Sequence, residues 1–473
     1  MFTLLAIFFL QFADKAGSER VCLSPTAIEM RAERNIEIDS LDYEVSPIYL
    51  DSIRALGGEI LHTSRWLNGA TIKASNNAIG AIESCRFVEI VHLTRVDQDL
   101  LLEGKSSVSI RKRMVEEGTI PNYPTQPASI EQLDQLNLLL LHQAGYKGQG
   151  IRIGVADGGF YNANSMPALP KEQWLGYADF TDDVDDFFGS TSNHGTLCLT
   201  AIVANTTDYH GAASHAEYFL FRTEEAYTES PKEIDNWVAA IEMADSLGLH
   251  IVSTSLGYAT FDDEQFDFTY ADMDGRISRG AQAAAIATRK GILLVMAAGN
   301  DGNKDWHYIS TPADADSILT VGGVDIDGNI AAFSSYGPSA DGRVKPEVCA
   351  VGKQTVLINP SNNNVMTGNG TSFACPLIAG AAACLWSALP EETNMEIRER
   401  IIRSADRYTD PHEQYGYGIP DIWEAYGKGM ENNLPYIDEY HACEVHKIWS
   451  NGLLFIKKGN MLYNTLGTPI TTY

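Results

Sequence analysis

Short continuous apolar runs alternate with amphipathic stretches through the middle of this chain. Residues 151–156, 250–254 and 292–297 are such runs, and runs of this length between turn residues are typical of strands buried on both faces. Between them, apolar residues recur at the spacing of one helix face. The repeated order of helix, glycine and strand predicts right-handed crossovers and a doubly wound, mainly parallel α/β sheet with helices on both faces.

The stretch 230–247 shows the helical pattern in detail. Ser230 is followed by a proline and by Glu233, which gives an N-cap, a proline at the first helical position and a capping-box glutamate. Apolar residues then recur at helical spacing, and Gly248 predicts the end of the helix. Residues 276–290 predict a second helix that is also closed by a glycine.

The first quarter of the chain follows a different pattern. Strands are predicted over 8–13, 59–63, 66–73 and 87–93, and helices over 46–56 and 75–84. The order is strand, helix, strand, strand, helix, strand, which is that of a ferredoxin-like domain. A small α+β domain is therefore expected to precede the α/β domain.

Length and charge narrow the classes of partner. The chain has 473 residues, too many for one typical domain, and a formal net charge of −28. This charge favours solubility and argues against nucleic-acid binding, which needs clustered Lys and Arg. Two acidic runs, 182–186 and 262–264, are interpreted either as a structural calcium site or as solvated loops. Solvated loops are favoured because neither run has the ligand spacing of a calcium loop.

The seven cysteines form neither a zinc motif nor a dense disulfide framework. Cys375 and Cys384 fall in one apolar stretch and are expected to be small buried residues. Pairing among the other five stays open, and with it the redox compartment.

Three segments carry side chains that suit nucleophilic catalysis. Ser372 lies in the motif Gly-Thr-Ser-Phe-Ala-Cys-Pro (370–376), at the start of a predicted helix, where the helix dipole stabilises negative charge. A neutral hydroxyl needs a base and a group that orients the base. His194, at the start of an apolar helix, is the candidate base. Asp157, at the carboxyl end of the strand 151–156, is the candidate orienting group.

The order Asp, His, Ser along the chain resembles the subtilase family of serine proteases. Further motifs match that family in order: Ser-Leu-Gly at 255–257, Ala-Gly-Asn at 298–300, Lys-Pro at 345–346 and Gly-Tyr-Gly at 416–418. The short motifs are weak alone, whereas the motif around Ser372 and the shared order make the set specific. The resemblance covers about residues 128–428.

The resemblance implies a role for each matched residue. Ser372 would attack the peptide carbonyl, His194 would transfer the proton, and Asp157 would hold the imidazole in the productive tautomer. The side-chain amide of Asn300 would join the Ser372 backbone N–H in an oxyanion hole. This chemistry requires no catalytic metal or other cofactor.

The resemblance also implies how substrate binds. An extended peptide would pair with Ser255, Leu256 and Gly257 by β-augmentation, and the missing Cβ of Gly257 would let another backbone approach. The primary pocket would lie between this segment and residues 297–300, which include Ala298 and Gly299. Because these residues are small, an apolar or broad preference is favoured over a charged one.

Two positions depart from the family pattern. The residue after the candidate Asp is usually Ser or Thr in subtilases, whereas here it is Gly158. A local hydrogen bond to Asp157 is therefore expected to be missing. Residues 350–352, where many relatives carry a proline, are expected to matter little.

Domain boundaries follow from the same resemblance. Residues 19–94 are expected to form a propeptide that inhibits the protease, 95–127 a linker and 128–428 the catalytic domain. Residues 1–18 are interpreted either as a signal segment or as the first strand of the propeptide domain. Residues 429–473 form a short tail, either a sorting signal similar to those of exported Bacteroidota proteins or a small structural hairpin.

The expected function is that of a secreted or cell-surface serine endopeptidase that acts on proteins or peptides through an acyl-enzyme. Beyond the N-terminus, no segment is expected to approach a membrane-spanning length. The basic triplet 111–113 in the linker is interpreted as a solvated charge cluster in preference to a processing site. Two other functions stay open: a catalytically silent module that binds peptides, with Gly158 as a sign of decay, and an acyl-transfer ligase.

Overall fold

The computed structural model describes residues 5–96, 127–182, 186–189 and 192–427, together with the backbone of four strands between 445 and 470. The linker predicted over 95–127, with its basic triplet, lies outside the described residues except at its ends. Part of the first acidic run, residues 183–185, also lies outside them. Of the predicted tail, the four strands alone are described.

The strands of the two main sheets are β1 (Leu5–Phe12), β2 (Glu59–Ser64), β3 (Gly69–Ser75), β4 (Val88–Val96), β5 (Arg152–Asp157), β6 (Trp174–Asp179), β7 (Glu217–Arg222), β8 (Ile251–Thr254), β9 (Leu293–Ala297), β10 (Leu319–Val324) and β11 (Val348–Val351). A hairpin, β12 (Thr355–Ile358) and β13 (Val365–Gly368), follows. The tail contributes β14 (Val445–Ser450), β15 (Leu453–Lys458), β16 (Met461–Tyr463) and β17 (Pro469–Ile470), which pair in sequence order as an antiparallel sheet.

The helices are α1 (Pro25–Glu33), α2 (Pro47–Ala55), α3 (Asn76–Glu83), α4 (Ile130–Gln135), α5 (Leu138–Gln143), α6 (His194–Val203), α7 (Lys232–Leu247), α8 (Arg279–Arg289), α9 (Thr371–Ala388), α10 (Asn394–Arg403) and α11 (Ile422–Gly427). Short 3₁₀ turns connect several of them.

The N-terminal domain is an antiparallel sheet of four strands in the order β2-β3-β1-β4. This is the ferredoxin-like order, so that prediction is confirmed, and β1 lies between β3 and β4. The strand predicted from residue 66 is wrong at its start: β3 begins at Gly69, because Asn68, with φ of 49°, lies in the turn from β2. The sequence pattern also missed α1, whose buried positions are Ala27 and Arg31 and therefore form no apolar stripe.

The second domain is built on a parallel sheet of seven strands in the order β11-β10-β9-β8-β5-β7-β6. One apolar core packs α6 and α9 against one face, and a second core packs α7 and α8 against the other. The prediction of a doubly wound sheet is therefore confirmed. Because β5 has β8 on one side and β7 on the other, the strand order reverses at β5.

Helix α7 confirms the predicted capping-box glutamate, whereas the predicted cap at Ser230 is wrong, because Pro231 is the N-cap residue and no side-chain hydrogen bond caps the helix. It begins at Lys232, after Pro231, and the Glu233 carboxylate accepts a hydrogen bond from the Ser230 amide at 3.1 Å. Gly248 ends the helix in the left-handed region, with φ of 73°.

Helix α9 corrects the expectation that no segment approaches a membrane-spanning length. Among the described residues it is the one helix with 18 residues and enough apolar character, but 89% of it is buried inside the domain. This burial is typical of the central helix of a globular core.

The N-terminal domain packs on α7 and on the end of α8 through buried charges. Asp245 of α7 accepts hydrogen bonds from Arg31 at 2.6 Å and from Arg65 at 2.7 Å. Lys290, directly after α8, donates to Asp42 at 2.8 Å, and Asp42 also pairs with Arg31 at 3.1 Å. Charges that are far apart along the chain therefore neutralise one another at this interface.

The turn after β2 inserts into the same face. The Glu242 carboxylate of α7 accepts hydrogen bonds from the Ser64 hydroxyl and from the amides of Arg65 and Trp66. Trp66 packs into the core that contains α7 and α8. Burial raises the pKa of Glu242, although Arg65 and the hydrogen-bond donors oppose the shift.

Candidate active site

The candidate site lies at the carboxyl ends of three neighbouring parallel strands. Asp157 is the last residue of β5, Ser255 follows β8, and Gly299 and Asn300 follow β9. Parallel strands end at the same edge of their sheet, so the topology alone brings these residues together. The edge coincides with the point where the strand order reverses.

Helix α6 brings His194 to Asp157. Nδ1 of His194 lies 2.8 Å from Oδ1 and 3.0 Å from Oδ2 of Asp157, and the two residues are 8% and 1% exposed. A Cβ at Gly195 would lie 2.8 Å from the Asp157 Cβ and 2.7 Å from the Gly159 carbonyl oxygen. Only glycine therefore lets the start of α6 approach the end of β5 this closely.

Asp157 also accepts a hydrogen bond from Gly158, the residue that departs from the subtilase pattern. The Gly158 amide donates to Asp157 Oδ1 at 2.8 Å. A backbone donor therefore holds the carboxylate at this oxygen, although Gly158 has no hydroxyl to offer.

Ser372 is the second residue of α9, an 18-residue helix whose positive end points at the site. Its carbonyl oxygen accepts from the Ser255 hydroxyl at 2.8 Å and from the Cys198 thiol at 3.3 Å. Its own hydroxyl makes a long hydrogen bond of 3.4 Å to the Ser255 carbonyl. His194 and Ser372 line the same cleft, and catalytic hydrogen bonds in unliganded sites are often long and tighten with substrate.

Asn300 is oriented by the residue before Ser372. Its Oδ1 accepts hydrogen bonds from the backbone amide of Thr371 at 2.8 Å and from the Thr371 hydroxyl at 3.1 Å. Asn300 lines the cleft, and with Oδ1 occupied by Thr371, its side-chain nitrogen is the group that can donate to a ligand there. Sequence reasoning missed Thr371, although it lies within the Gly-Thr-Ser motif.

The cleft has a volume of about 820 Å³ and contains most of the predicted binding residues. Ser255, Leu256, Gly257 and Gly299 line it, whereas Ala298 does not line it. Ala298 is buried, and its amide donates to the Val321 carbonyl at 3.0 Å. The interpretation of Ala298 as a substrate-binding residue has no support in the lining.

The missing Cβ of Gly257 makes room for Ser310, a residue that the sequence did not predict at the site. A Cβ there would lie 2.1 Å from the Ser310 hydroxyl oxygen. A side chain at this position would displace the Ser310 hydroxyl and would lie 3.2 Å from the Ser310 Cβ, so glycine fits best beside this loop, which also lines the cleft.

Loop residues that no motif marks complete the lining. They include Glu229, Lys304, Trp306 and Phe333. Because loops carry their side chains into a cleft without periodicity, a single sequence gives no signal for them.

Two groups of side chains among the described residues have the geometry to hold a metal ion: Asp157 with His194 and Cys198, and Glu224 with Glu229 and Glu233. The described parts of the predicted acidic runs form no such group of three. Asp182 pairs with Lys232, and Asp262 accepts from the Glu229 amide.

The thiols near the site are buried and protonated. Burial raises the pKa of the Cys198 thiol well above its usual value, and it raises the pKa of Cys375 to about 12. Cys375 and Cys384 are free and buried, as expected for small core residues. Among the described cysteines none is in a disulfide.

Sequence comparisons place the chain among known proteins. A profile of the Subtilase family matches residues 148–419, and a profile of the Peptidase S8 propeptide domain of Bacteroidota matches residues 8–108. The first match contains the whole cleft, and the second contains the ferredoxin-like domain except for the first three residues of β1.

Several curated proteins are similar to this chain. It is 26% identical to Subtilisin-like protease SBT6.1 of Arabidopsis thaliana, over 69% of this chain and 31% of that protein. It is 28% identical to Membrane-bound transcription factor site-1 protease of Mus musculus, over 64% of this chain and 27% of that protein. It is 29% identical to Subtilisin DY of Bacillus licheniformis, over 59% of this chain and 91% of that protein. The chain thus spans under a third of the first two.

Proposed function

Because this chain belongs to the subtilase family, we propose that it is a serine endopeptidase in which Asp157, His194 and Ser372 form the catalytic triad. The observation that carries the proposal is the 2.8 Å contact between His194 Nδ1 and Asp157, made on the rim of a cleft that also contains Ser372. The same three residues bear the motifs that resemble the family in the sequence.

The contact between His194 and Asp157 supports a separate role for each imidazole nitrogen. With its Nδ1–H donating to Asp157, the neutral imidazole keeps a lone pair on Nε2, a tautomer assigned from the hydrogen-bond network. Nε2 takes the Ser372 proton as the serine oxygen bonds to the scissile carbonyl carbon and the carbonyl electron pair moves to oxygen. The imidazolium that forms is stabilised by the Asp157 carboxylate.

The reaction then proceeds through an acyl-enzyme. Collapse of the tetrahedral intermediate breaks the C–N bond, and the leaving amine takes the proton from His194. A water molecule gives its proton to His194, adds to the acyl carbon, and releases the second product as the proton returns to Ser372. The proposed steps use protein groups and water.

The negative charge on the intermediate requires donors. We assign these to the Ser372 backbone N–H, at the positive end of α9, and to the Asn300 side-chain nitrogen. The hydrogen bonds from Thr371 to Asn300 Oδ1 support this assignment, because they direct the amide nitrogen away from Thr371.

The N-terminal domain is proposed to inhibit the protease until it is released. Its buried ion pairs with α7 and Lys290 would hold it on the catalytic domain. A secreted or cell-surface location is proposed because the propeptide profile is that of Bacteroidota S8 peptidases. Structural calcium remains a prediction that the described acidic runs do not favour.

The test uses a fluorophosphonate probe, which labels an activated serine covalently. The parent chain should be labelled as processing proceeds, whereas Ser372→Ala and His194→Ala should not be. Ser361→Ala, a change of an exposed serine, serves as the matched control and should be labelled like the parent. Absence of labelling in the processed parent would favour a silent peptide-binding module.

A second measurement separates hydrolysis from acyl transfer. A model peptide is cleaved without an added amine and with the amine at a series of concentrations from low to high, and the products are identified by mass. A hydrolase should give mainly the free acid, because water takes the acyl group. Amide as the dominant product at low amine concentration would indicate a ligase.

A further inference from the structure

Glu229 lies on the wall of the cleft that also contains Leu256 and Gly257. The loop before α7 carries it, and this loop is tied to its neighbour. The Glu229 amide donates to Asp262 Oδ2 at 2.9 Å, and the Asp262 amide donates to the Glu229 carbonyl at 3.0 Å. The backbone of Glu229 is therefore held beside the substrate-binding segment.

Two more carboxylates, those of Glu224 and Glu233, lie close to that of Glu229, and the three together are called the set. One carboxylate oxygen each from Glu224, Glu229 and Glu233 lies within 4.8 Å of the other two. Burial raises the pKa of Glu233 well above its usual value, and the charges of Glu224 and Glu229 raise it further. Carboxylates this close repel one another, so a cation that enters beside them is stabilised.

The nearby positive charge of Lys232 pairs with carboxylates that do not belong to the set. Lys232, next to Glu233 in the sequence, is fully buried and forms ion pairs with Asp182 at 2.7 Å and with Glu225. Its direct ion pairs are thus with carboxylates other than the three of the set.

Two buried hydroxyl groups belong to the residues on either side of Glu229 in the chain. The hydroxyl oxygens of Thr228 and Ser230, which flank Glu229 in the chain, are buried and have no hydrogen-bond partner among the described residues. Ser230 is 7% exposed, and its amide donates to Glu233 at 3.1 Å. Buried polar groups normally find a partner, so a ligand with several N–H groups suits this place.

The set is also fixed to the wall that holds the substrate. The Tyr258 hydroxyl donates to Glu224 Oε1 at 2.7 Å, and Tyr258 directly follows Gly257. A peptide that pairs with residues 255–257 therefore has Glu229 on the same wall of the cleft, and the buried Tyr258 connects Glu224 to this wall from behind.

Resting on the peptidase function proposed above, we propose that Glu229, with Glu224 and Glu233 behind it, forms a subsite that binds a Lys or Arg side chain of the substrate. The primary pocket, between 255–257 and 297–300, is lined by small residues and keeps its apolar or broad preference. The basic residue is recognised at a different position of the peptide.

The first experiment measures this preference. Quenched fluorescent peptides carry one Lys, or norleucine as a neutral residue of similar length, at each position in turn around one scissile bond. The parent enzyme should favour Lys at one position by about tenfold in kcat/KM, as expected for a hydrogen-bonded charge pair. Glu229→Gln should lose that preference, and Glu229→Lys should favour Glu at the same position.

The matched control is Glu391→Gln, which changes an exposed glutamate between α9 and α10 and should keep the full preference. A peptide with the chain's own linker sequence around 111–113 adds a natural basic probe. Equal cleavage of Lys and norleucine peptides by the parent, or an unchanged preference in Glu229→Gln, would overturn the proposal.

Two further measurements distinguish the subsite from a failure of catalysis and from a metal site. Peptides of the same sequences with a single fluorophore are bound to Ser372→Ala after its N-terminal domain has been removed by an unrelated protease. Fluorescence anisotropy of these peptides tests the subsite even if the parent does not cleave them. Thermal unfolding with calcium or with a chelator tests a metal site. If Glu229→Gln abolishes a calcium-dependent stabilisation and leaves peptide selectivity unchanged, the carboxylates hold a metal ion and the subsite is refuted.

Discussion

The catalytic cleft and the face that carries the N-terminal domain are two surfaces of one α/β domain, and they are built in opposite ways. In the cleft, Asp157 is the last residue of β5, His194 is the first residue of α6, and Ser372 is the second residue of α9. On the other face, charged side chains from both domains are buried against one another. Asp245 and Arg31 there are 214 positions apart in sequence.

The difference separates residues that act on a substrate from residues that hold the two domains together. The cleft leaves donors and a base directed at a substrate, so removing one of them should affect turnover far more than folding. The interface satisfies its charges internally, and removing one partner leaves another charge buried and unpaired. Variants of the two surfaces should therefore change different measurements.

Asp157→Asn tests the cleft with the largest expected effect. The change should lower kcat by about 10⁴-fold, the scale known for this position in serine proteases, because the amide favours the wrong tautomer of His194. The free energy of unfolding should change little. Kinetics after removal of the N-terminal domain by added parent enzyme measure the effect, with Asp410→Asn at an exposed position as control. A loss below tenfold would contradict the assigned role of Asp157.

Arg31→Met tests the interface in the Ser372→Ala chain, which stays unprocessed. Arg31 pairs with both Asp42 and Asp245, so the change should lower the free energy of unfolding of the N-terminal domain by about 3–5 kcal/mol. Arg54→Met, which breaks an exposed pair with Asp51, should cost under about 1 kcal/mol. Urea denaturation measures both, and similar costs for the two variants would remove the contrast between buried and exposed pairs.

The same contrast explains what the sequence could predict. Asp157 and Ser372 were predictable because each follows a local pattern, an apolar strand or a glycine turn before a helix, and parallel strands end at one edge. Thr371 was missed although it adjoins Ser372. Glu229 had no local signal because a loop delivers it to the cleft.

At the interface, the sequence predicted the elements and not their contacts. The order of strands and helices in the N-terminal domain follows from periodicity and caps, and the helix predicted from residue 46 is α2, with Ser46 as its N-cap. Helix α1 has no apolar stripe because its buried face contains Arg31. Pairing of Arg31 with Asp245 depends on how two domains meet, which no local pattern specifies.

Asn300→Ala tests whether Asn300 stabilises the oxyanion in the cleft. Loss of one oxyanion donor should lower kcat by about 10²- to 10³-fold with little change in KM, since the donor acts mainly on the developing charge. Asn300→Asp is the matched variant: it keeps an acceptor for the Thr371 amide and loses the donor. Both should lose a similar share of kcat. Full activity in Asn300→Asp would show that Asn300 serves to position Thr371 and not to bind the oxyanion.

Asp42→Asn should give the smallest effect and a characteristic dependence on pH. Burial opposes ionisation of Asp42, but hydrogen bonds from Lys290 and the Asp39 amide, with the charge of Arg31, lower its pKa below the usual value. A carboxyl with a lowered pKa in the folded state adds stability above its unfolded pKa of about 3.9, and this contribution is lost as the pH falls through the folded pKa. In the Ser372→Ala chain, Asp42→Asn should therefore lower Tm at about pH 7, and the difference should shrink below about pH 4. A difference in Tm that stays constant over this range would mean that the Asp42 charge does not hold the two domains together.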